Sequence, residues 1–372
     1  MKKNFKWPQW PQYNKICERL VSDVVKSNRI FNGPKVKEFE KNFRKYNGSN
    51  FAVAVGNGTQ ALHLALAAAN IGHNDEVIVT NFSWISSASC ILMQRAKPVF
   101  CDIENSTLGI NPDEIERKIT KKTKAIIVVH MFGIICKIKE IKKIAKKYNL
   151  ILIEDASHAH GATLNGKKAG NFGDIAIFSL HQRKNIPSGE GGVIVCKNKK
   201  FANSIYKMRS FGHSELSYNY RMSEFSAVLA SYFLKKVDEE NIIRKKNADY
   251  LIRKLKNNKK IKFIYPNKDR KSSFYKLIIS FNLNRKIKLD YIVNRLNKIN
   301  LPISRVYLPL NIHRNFSRKN LKKLNINQDK TSNKFPITSQ AYNNKLLQID
   351  INSLTKSYHL NYLAKHLQNL KL

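Results

Sequence analysis

From about residue 50 to residue 200 the chain alternates short apolar, mostly β-branched runs with stretches of helical periodicity. The runs are FAVAV from Phe51, EVIVT from Glu76, KPVFC from Lys97, KAIIVVH from Lys124, LILIED from Leu150, DIAIFS from Asp174 and GGVIVC from Gly191. Continuous rather than alternating apolar runs suit strands covered on both faces, so the predicted class is α/β, with a mostly parallel sheet between helices. Between the runs, PKVKEFEKNFRKY opens with Pro34 in a first turn and carries Val36, Phe39, Phe43 and Tyr46 as an apolar stripe. TQALHLALAAAN is apolar nearly all round and is expected to be buried. Asn165-Gly166 is a hairpin turn signal. From Ser223 the pattern reads as one long helix, and KFIYP, SFYKLIISFNL and LDYIVNRLNKIN beyond it predict a smaller α+β unit. The expected division is a large domain, residues 1–248 including the N-terminal segment, and a small C-terminal domain, residues 249–372.

Charge admits a competing class. The formal net charge is +41, enough to attract a polyanion or an anionic membrane surface. In KIKEIKKIAKKY, however, Ile138, Ile141, Ala145 and Tyr148 share one helical face and the lysines the other, the pattern of a solvated surface helix. No aromatic-basic interleaving marks a nucleic-acid module. The five cysteines, Cys17, Cys90, Cys101, Cys136 and Cys196, lack C-x-x-C spacing and read as buried reduced thiols. The N-terminal stretch has no continuous apolar core and no later run approaches a membrane span, so a cytoplasmic protein without membrane insertion is expected.

Three segments carry chemistry. In VGNGTQAL a strand passes through Gly56-Asn57-Gly58 into a helix at Thr59, where free backbone N–H groups suit a phosphate; an ordinary capped turn explains the segment equally well. LILIEDASHAHGA ends a buried strand at Asp155, on the sheet edge where α/β proteins bind ligands, although Asp155 also suits a turn. His158 and His160 lack a third ligand nearby, and no metal is expected. FSLHQRKNIPSGEGG ends a strand at Ser179, places Lys184 in a loop and turns back through glycines. Together the three supply what pyridoxal 5′-phosphate (PLP) needs: an amine for a Schiff base, a carboxylate for the pyridinium nitrogen, and hydroxyl and N–H donors for the phosphate.

These segments, with VIVTNFSW, KPVFCDI and SYNYRMSEFSAVLA, resemble the DegT/DnrJ/EryC1/StrS sugar aminotransferases, of the aspartate aminotransferase-like fold type I PLP enzymes. The resemblance covers almost the whole chain. It implies that Lys184 bonds the cofactor aldehyde and later shuttles a proton, and that Asp155 pairs with the ring nitrogen. It also implies that Gly58, Thr59, Gln60 and Ser179 hold the phosphate, the middle two through backbone N–H groups. Trp84 would stack on the ring, and Asn219 would reach the phosphate of a neighbouring subunit, so a homodimer with shared active sites is expected. His158 stands where many members have glutamine and would sit beside the ring oxygen; Lys137 and Ser339 also depart from the common pattern. Tyr307 and His313 in ISRVYLPLNIHRNF are the candidates for substrate contacts.

The implied reaction moves an amino group from glutamate or glutamine to a keto-sugar, foremost a nucleotide-linked keto-deoxysugar. WPQWPQY points instead to a branch that aminates keto-cyclitols. Related dehydratases have histidine at the lysine position; His181 is close, but the GEGG spacing assigns the site to Lys184. A non-enzymatic PLP-binding regulator or a basic polyanion-binding protein is the alternative from another class.

Overall fold

The computed structural model of the chain describes residues 5–31, 33–211, 217–282, 288–326 and 335–370. Its strands begin with β1 (Phe51–Val55), β2 (Glu76–Thr80), β3 (Lys97–Cys101), β4 (Thr123–Val129) and β5 (Ile151–Asp155). The short β6 (Thr163–Leu164) and β7 (Lys167–Lys168) follow, then β8 (Ile175–Ser179) and β9 (Gly192–Cys196). Seven of these, all seven apolar runs, form one sheet in the order β1-β9-β8-β5-β4-β2-β3. β9 runs antiparallel to both neighbours and the other pairings are parallel.

The helices of this region are α1 (Lys15–Lys26), α2 (Pro34–Asn47), α3 (Gly58–Ala68), α4 (Ser86–Met93), α5 (Pro112–Lys118), α6 (Ile138–Lys147), α7 (Lys199–Arg209), α8 (Glu224–Leu234) and α9 (Val237–Leu255). The strands feed two cores. Ile126, Val128, Phe178 and Val193 pack with Phe39, Phe43, Ile138 and Ala227 on one face. Ile127, Ile153, Ile177 and Ile194 pack with Leu62, Leu66, Ile91 and Ile205 on the other. Double coverage explains why the strands are continuously apolar. The lysines of α6 lie on its exposed side, as the pattern requires, whereas Tyr148 is exposed and bonds Glu116. All five cysteines are buried and unpaired. Among the described residues no helix is long and apolar enough to cross a membrane.

Asn165 and Gly166 both adopt positive φ, 49° and 77°, and join β6 to β7 as the sequence predicts. The helix expected from Ser223 is two: α8 and α9 are separated by Lys235 and Lys236, where the Lys236 N–H reaches back to Phe233 O at 3.0 Å. Burial of Phe233, Leu234 and Val237 outweighs the uninterrupted helix propensity there.

After α9 come β10 (Ile261–Ile264), β11 (Arg270–Lys271), β12 (Leu277–Phe281), α10 (Leu289–Asn297), β13 (Ile303–Arg305) and β14 (Leu346–Ile349). Four strands form a second sheet, β10-β12-β14-β13, backed by α10 and the helix Ser357–Gln368. Residue 248, the expected division, lies within α9, whose second half contributes Ala248, Leu251 and Leu255 to the smaller core. β11 pairs with β6 and so ties this unit to the chain just beyond Asp155.

One buried charge anchors the frame. Glu224, at the start of α8, accepts the backbone N–H groups of Gly33, Lys35 and Val36 at 3.1, 2.8 and 3.1 Å, capping α2 from another helix. A Cβ on Gly33 would lie 2.6 Å from the Glu224 carboxylate, so only glycine permits this approach. Hydrogen bonds to a charged group contribute about 1.5–3 kcal/mol. Glu224→Ala is expected to lower the unfolding free energy by about 2–3 kcal/mol in urea titration, with an unchanged m-value.

Candidate active site

The site forms where β1, β5 and β8 end. Val55, Gly192 and Ser179 lie side by side across the ends of β1, β9 and β8. A Cβ on Gly192 would lie 2.6 Å from the Asn57 carbonyl, and one on Gly58 would lie 2.8 Å from Ser179 Cβ. Two missing side chains therefore let the turn into α3 cross β9 and touch Ser179. Asn57 caps α3, its side chain accepting the Gln60 N–H at 2.9 Å. That engages the Gln60 N–H within the helix and leaves Gly58 and Thr59, ahead of any intrahelical carbonyl, as the backbone donors beside Ser179. Thr59 Oγ1 and Ser86 Oγ are 2.8 Å apart.

Asp155 ends β5, buried, and both its oxygens are held: Ser87 Oγ donates at 2.7 Å and the Ser157 N–H at 3.1 Å. Ser83 Oγ in turn meets Ser87 Oγ at 2.8 Å. The neighbouring Glu154 points to the other face, where it accepts the N–H groups of Gly170, Phe172 and Gly173 and meets His130 Nε2 at 2.9 Å. Alternation along the strand gives one carboxylate a structural task and leaves the other in the cleft.

Lys184 is half-buried, with its Nζ 4.8 Å from the centre of the Tyr275 ring. Burial pulls its ammonium down to about 8, against Asp155, which favours the charge, and together with Lys276, which opposes it. His158 stacks on the same Tyr275 ring at 4.2 Å and 15°. Burial and the adjacent Lys184 hold His158 well below its ordinary range, so it is neutral, and its Nδ1 is buried without a partner among the described residues. His160 is likewise neutral, pushed by burial to about 3, and packs on Phe178.

Tyr307 joins this group, parallel to Phe132 at 5.8 Å and 5.9 Å from His158. Trp84 stands edge-on to Tyr307 at 6.0 Å and is 58% exposed. Asn219 is exposed and receives Arg221 Nε at 3.0 Å, so it lies at the surface rather than inside its own cleft. His313 is not brought in: its Nδ1 accepts the Asn315 N–H and its ring packs on Phe316, whose side chain belongs to the large core. Ser87, Tyr275 and Lys276 also belong to this cluster, although the sequence marks none of them. Tyr275 and Lys276 sit in a run that reads only as a strand, and Ser87 reads as one of several small residues in a helix.

A sheet of this order with an amine and a carboxylate at its carboxyl edge is the fold type I architecture of PLP-dependent transferases. The chain belongs to the DegT/DnrJ/EryC1/StrS aminotransferase family, whose sequence pattern matches residues 12–367. Among its relatives, the L-glutamine:2-deoxy-scyllo-inosose aminotransferase of Streptomyces lividus is 35% identical over 66% of this chain and 64% of its own length. The GDP-perosamine synthase of Escherichia coli O157:H7 is 37% identical over 67% of this chain and 72% of its own. An aminotransferase of Psychrobacter cryohalolentis superposes with a TM-score of 0.90 at 27% identity, covering 97% of this chain and 98% of that one. Streptococcus pneumoniae structures in a PLP-form and a PMP-form share the fold at 24% identity, covering 97% of this chain, with TM-scores of 0.88 and 0.87 and coverage of 97% and 96% of those chains.

An ordinary lysine titrates near 10.4, and Lys184 near 8. Competitive acetylation of the cofactor-free chain with isotopic acetic anhydride, read peptide by peptide by mass spectrometry, is expected to give that midpoint for Lys184. A midpoint above 10 would exclude a desolvated amine at this position.

Proposed function

We propose that this chain is a PLP-dependent aminotransferase that moves an amino group from glutamate or glutamine to a keto-sugar, foremost a nucleotide-linked keto-deoxysugar. The observation that carries the reading is the convergence of a lysine packed against the Tyr275 ring, a doubly held aspartate and a glycine-lined N–H and hydroxyl cradle at one end of the sheet. The residues fit the cofactor: the cradle of Gly58, Thr59 and Ser179 suits its phosphate, Asp155 its ring nitrogen, and the orphaned Nδ1 of His158 its ring hydroxyl.

When bound, PLP supplies an aldehyde that takes up the amino group and a ring that accepts electron density. The residues do the rest. Asp155, fixed by Ser87 and Ser157, presents a carboxylate in a set direction and would stabilise a proton on the ring nitrogen. Lys184 Nζ is neutral in an appreciable fraction near pH 7.5, as a base must be, and moves a proton within the cleft. Trp84 and Tyr307 border the opening and would meet the acceptor; Gln60 supports the α3 cap and His313 the substrate loop.

A keto-cyclitol is the second reading of the acceptor, supported by the relative that acts on 2-deoxy-scyllo-inosose. The alternative of a regulator or polyanion binder loses to the lysine: a regulator needs no neutral amine beside a buried carboxylate. We further propose that the enzyme is a homodimer sharing its active sites and works in the cytoplasm. Phe31 and Phe211 are 59% and 52% exposed and flank the Arg221 guanidinium, which is 5.1 and 5.0 Å from their rings. Asn219 holds that arginine, so a second copy covering this patch would meet Asn219 directly.

The deciding experiment is a spectrophotometric screen of amino donors, then of keto acceptors, with purified holoenzyme. Glutamate or glutamine is expected to bleach the PLP band, and a nucleotide keto-sugar to restore it faster than a keto-cyclitol; restoration by the cyclitol alone would reverse the order of acceptors. Lys184→Ala is expected to abolish borohydride trapping of PLP and to reduce turnover at least 10³-fold; retained trapping would refute the role of Lys184. Gly58→Ala, which sets a methyl against Ser179, is expected to weaken PLP binding tenfold or more in absorbance titration.

A further inference from the structure

The N-terminal WPQWP segment, whose tryptophans the reaction does not use, ties the Lys184 loop to the end of β14 in the smaller sheet. Trp10 Nε1 donates to the Lys184 carbonyl at 2.9 Å, and Trp7 Nε1 to the Asp350 carbonyl at 3.0 Å. Asn352 Nδ2 holds the Pro8 carbonyl between them at 2.9 Å, and the buried Arg244 guanidinium lies 4.5 Å from the Trp10 ring. The segment thus fixes the backbones of Lys184 and Asp350 relative to each other.

Asp350 follows β14 and Lys276 precedes β12, at adjoining ends of two paired strands. Lys276 Nζ meets Asp350 Oδ2 at 2.6 Å, and the lysine side chain is only 14% exposed. The Tyr275 ring lies 4.8 Å from Lys184 Nζ and 5.2 Å from Lys276 Nζ, so one ring receives both ammonium groups. We propose that Lys276 is a positioning residue whose charge, moderated by Asp350, shifts the Lys184 amine toward its neutral form.

Arg244 from α9 is a second buried cation in this neighbourhood, and Asp350 acts on it as well; the remaining groups come from the cleft itself. Asp155 faces it from β5 and favours its charge, whereas the neutral His158 and His160 come from the loop after β5. Tyr275 and Tyr307 are held protonated by burial. His181, Arg183 and Glu190 belong to its own loop, with His181 Nε2 3.9 Å from Glu190. Lys276 is therefore the cation brought to Lys184 from the smaller sheet.

The inference rests on Lys184 as the reactive amine, but it is tested in the cofactor-free full chain by the same acetylation titration. Its failure would leave transamination standing, and a failure of transamination would not alter the titration. The two ring distances, 4.8 and 5.2 Å, place the ammonium groups no more than about 10 Å apart, and at an effective dielectric near 20 unit charges so placed act on the scale of about one pKa unit, less where a counter-charge is bound. Lys276→Met is expected to raise the Lys184 midpoint by about half a unit and Asp350→Asn to lower it by a similar amount, while Lys276→Arg leaves it within about 0.2 unit. A role in packing alone would not give opposite signs. Shifts in the same direction, or no shift in variants with native near-ultraviolet circular dichroism, would overturn the proposal. If Lys276→Met does not fold, the Asp350→Asn and Lys276→Arg pair decides: a lower midpoint in the first and an unchanged one in the second support it, and any other result overturns it.

Discussion

Contact between the first turn of α3 and Ser179 organises the cleft. The two belong to β1 and β8, which are not neighbours; β9 runs between them in the opposite direction. The turn can cross only because Gly192 presents no side chain to the Asn57 carbonyl, and it can touch Ser179 only because Gly58 presents none. A methyl at either position would separate the helix N–H groups from the serine hydroxyl. The antiparallel strand has a second consequence: it brings the chain back from the Lys184 loop, so amine and cradle share one edge.

Desolvation does the electrostatic work. Packed against the Tyr275 ring, Lys184 loses hydration that would favour its charge, and burial likewise keeps His158 and His160 neutral. Asp155 escapes the usual cost of a buried carboxylate because a hydroxyl and an amide hold its two oxygens. The cleft thus combines one fixed acceptor, one amine near neutrality and flat rings on its walls.

Much of this was legible in the chain. The seven apolar runs are the seven strands of the large sheet, because residues covered on both faces must be continuously apolar. Asp155 and Ser179 end strands, Gly58 opens the helix after β1 and Lys184 lies in the loop after β8, all positions that strand-to-turn transitions mark in the local sequence. The break between α8 and α9 is not legible in the sequence, since a helical period continues through Lys235 and Lys236 while Phe233, Leu234 and Val237 are buried on either side of it. His313 was selected for its loop, but its contacts are those of a cap. Gln60 was counted among the phosphate donors, yet Asn57 takes its N–H.

The sequence by itself determined the class of fold, the strand ends and the residue types at them, because periodicity and turn chemistry are local properties of the chain. It also marked the glycines, whose missing side chains permit close approach. Only the tertiary structure decided which carboxylate faces the cleft, which serine holds it, and that Tyr275, Lys276 and the two N-terminal tryptophans gather around Lys184. Those relations join residues as far apart as Trp7 and Asp350. They depend on sheet register and on β11 pairing with β6, and long-range pairing leaves no period in the sequence to read.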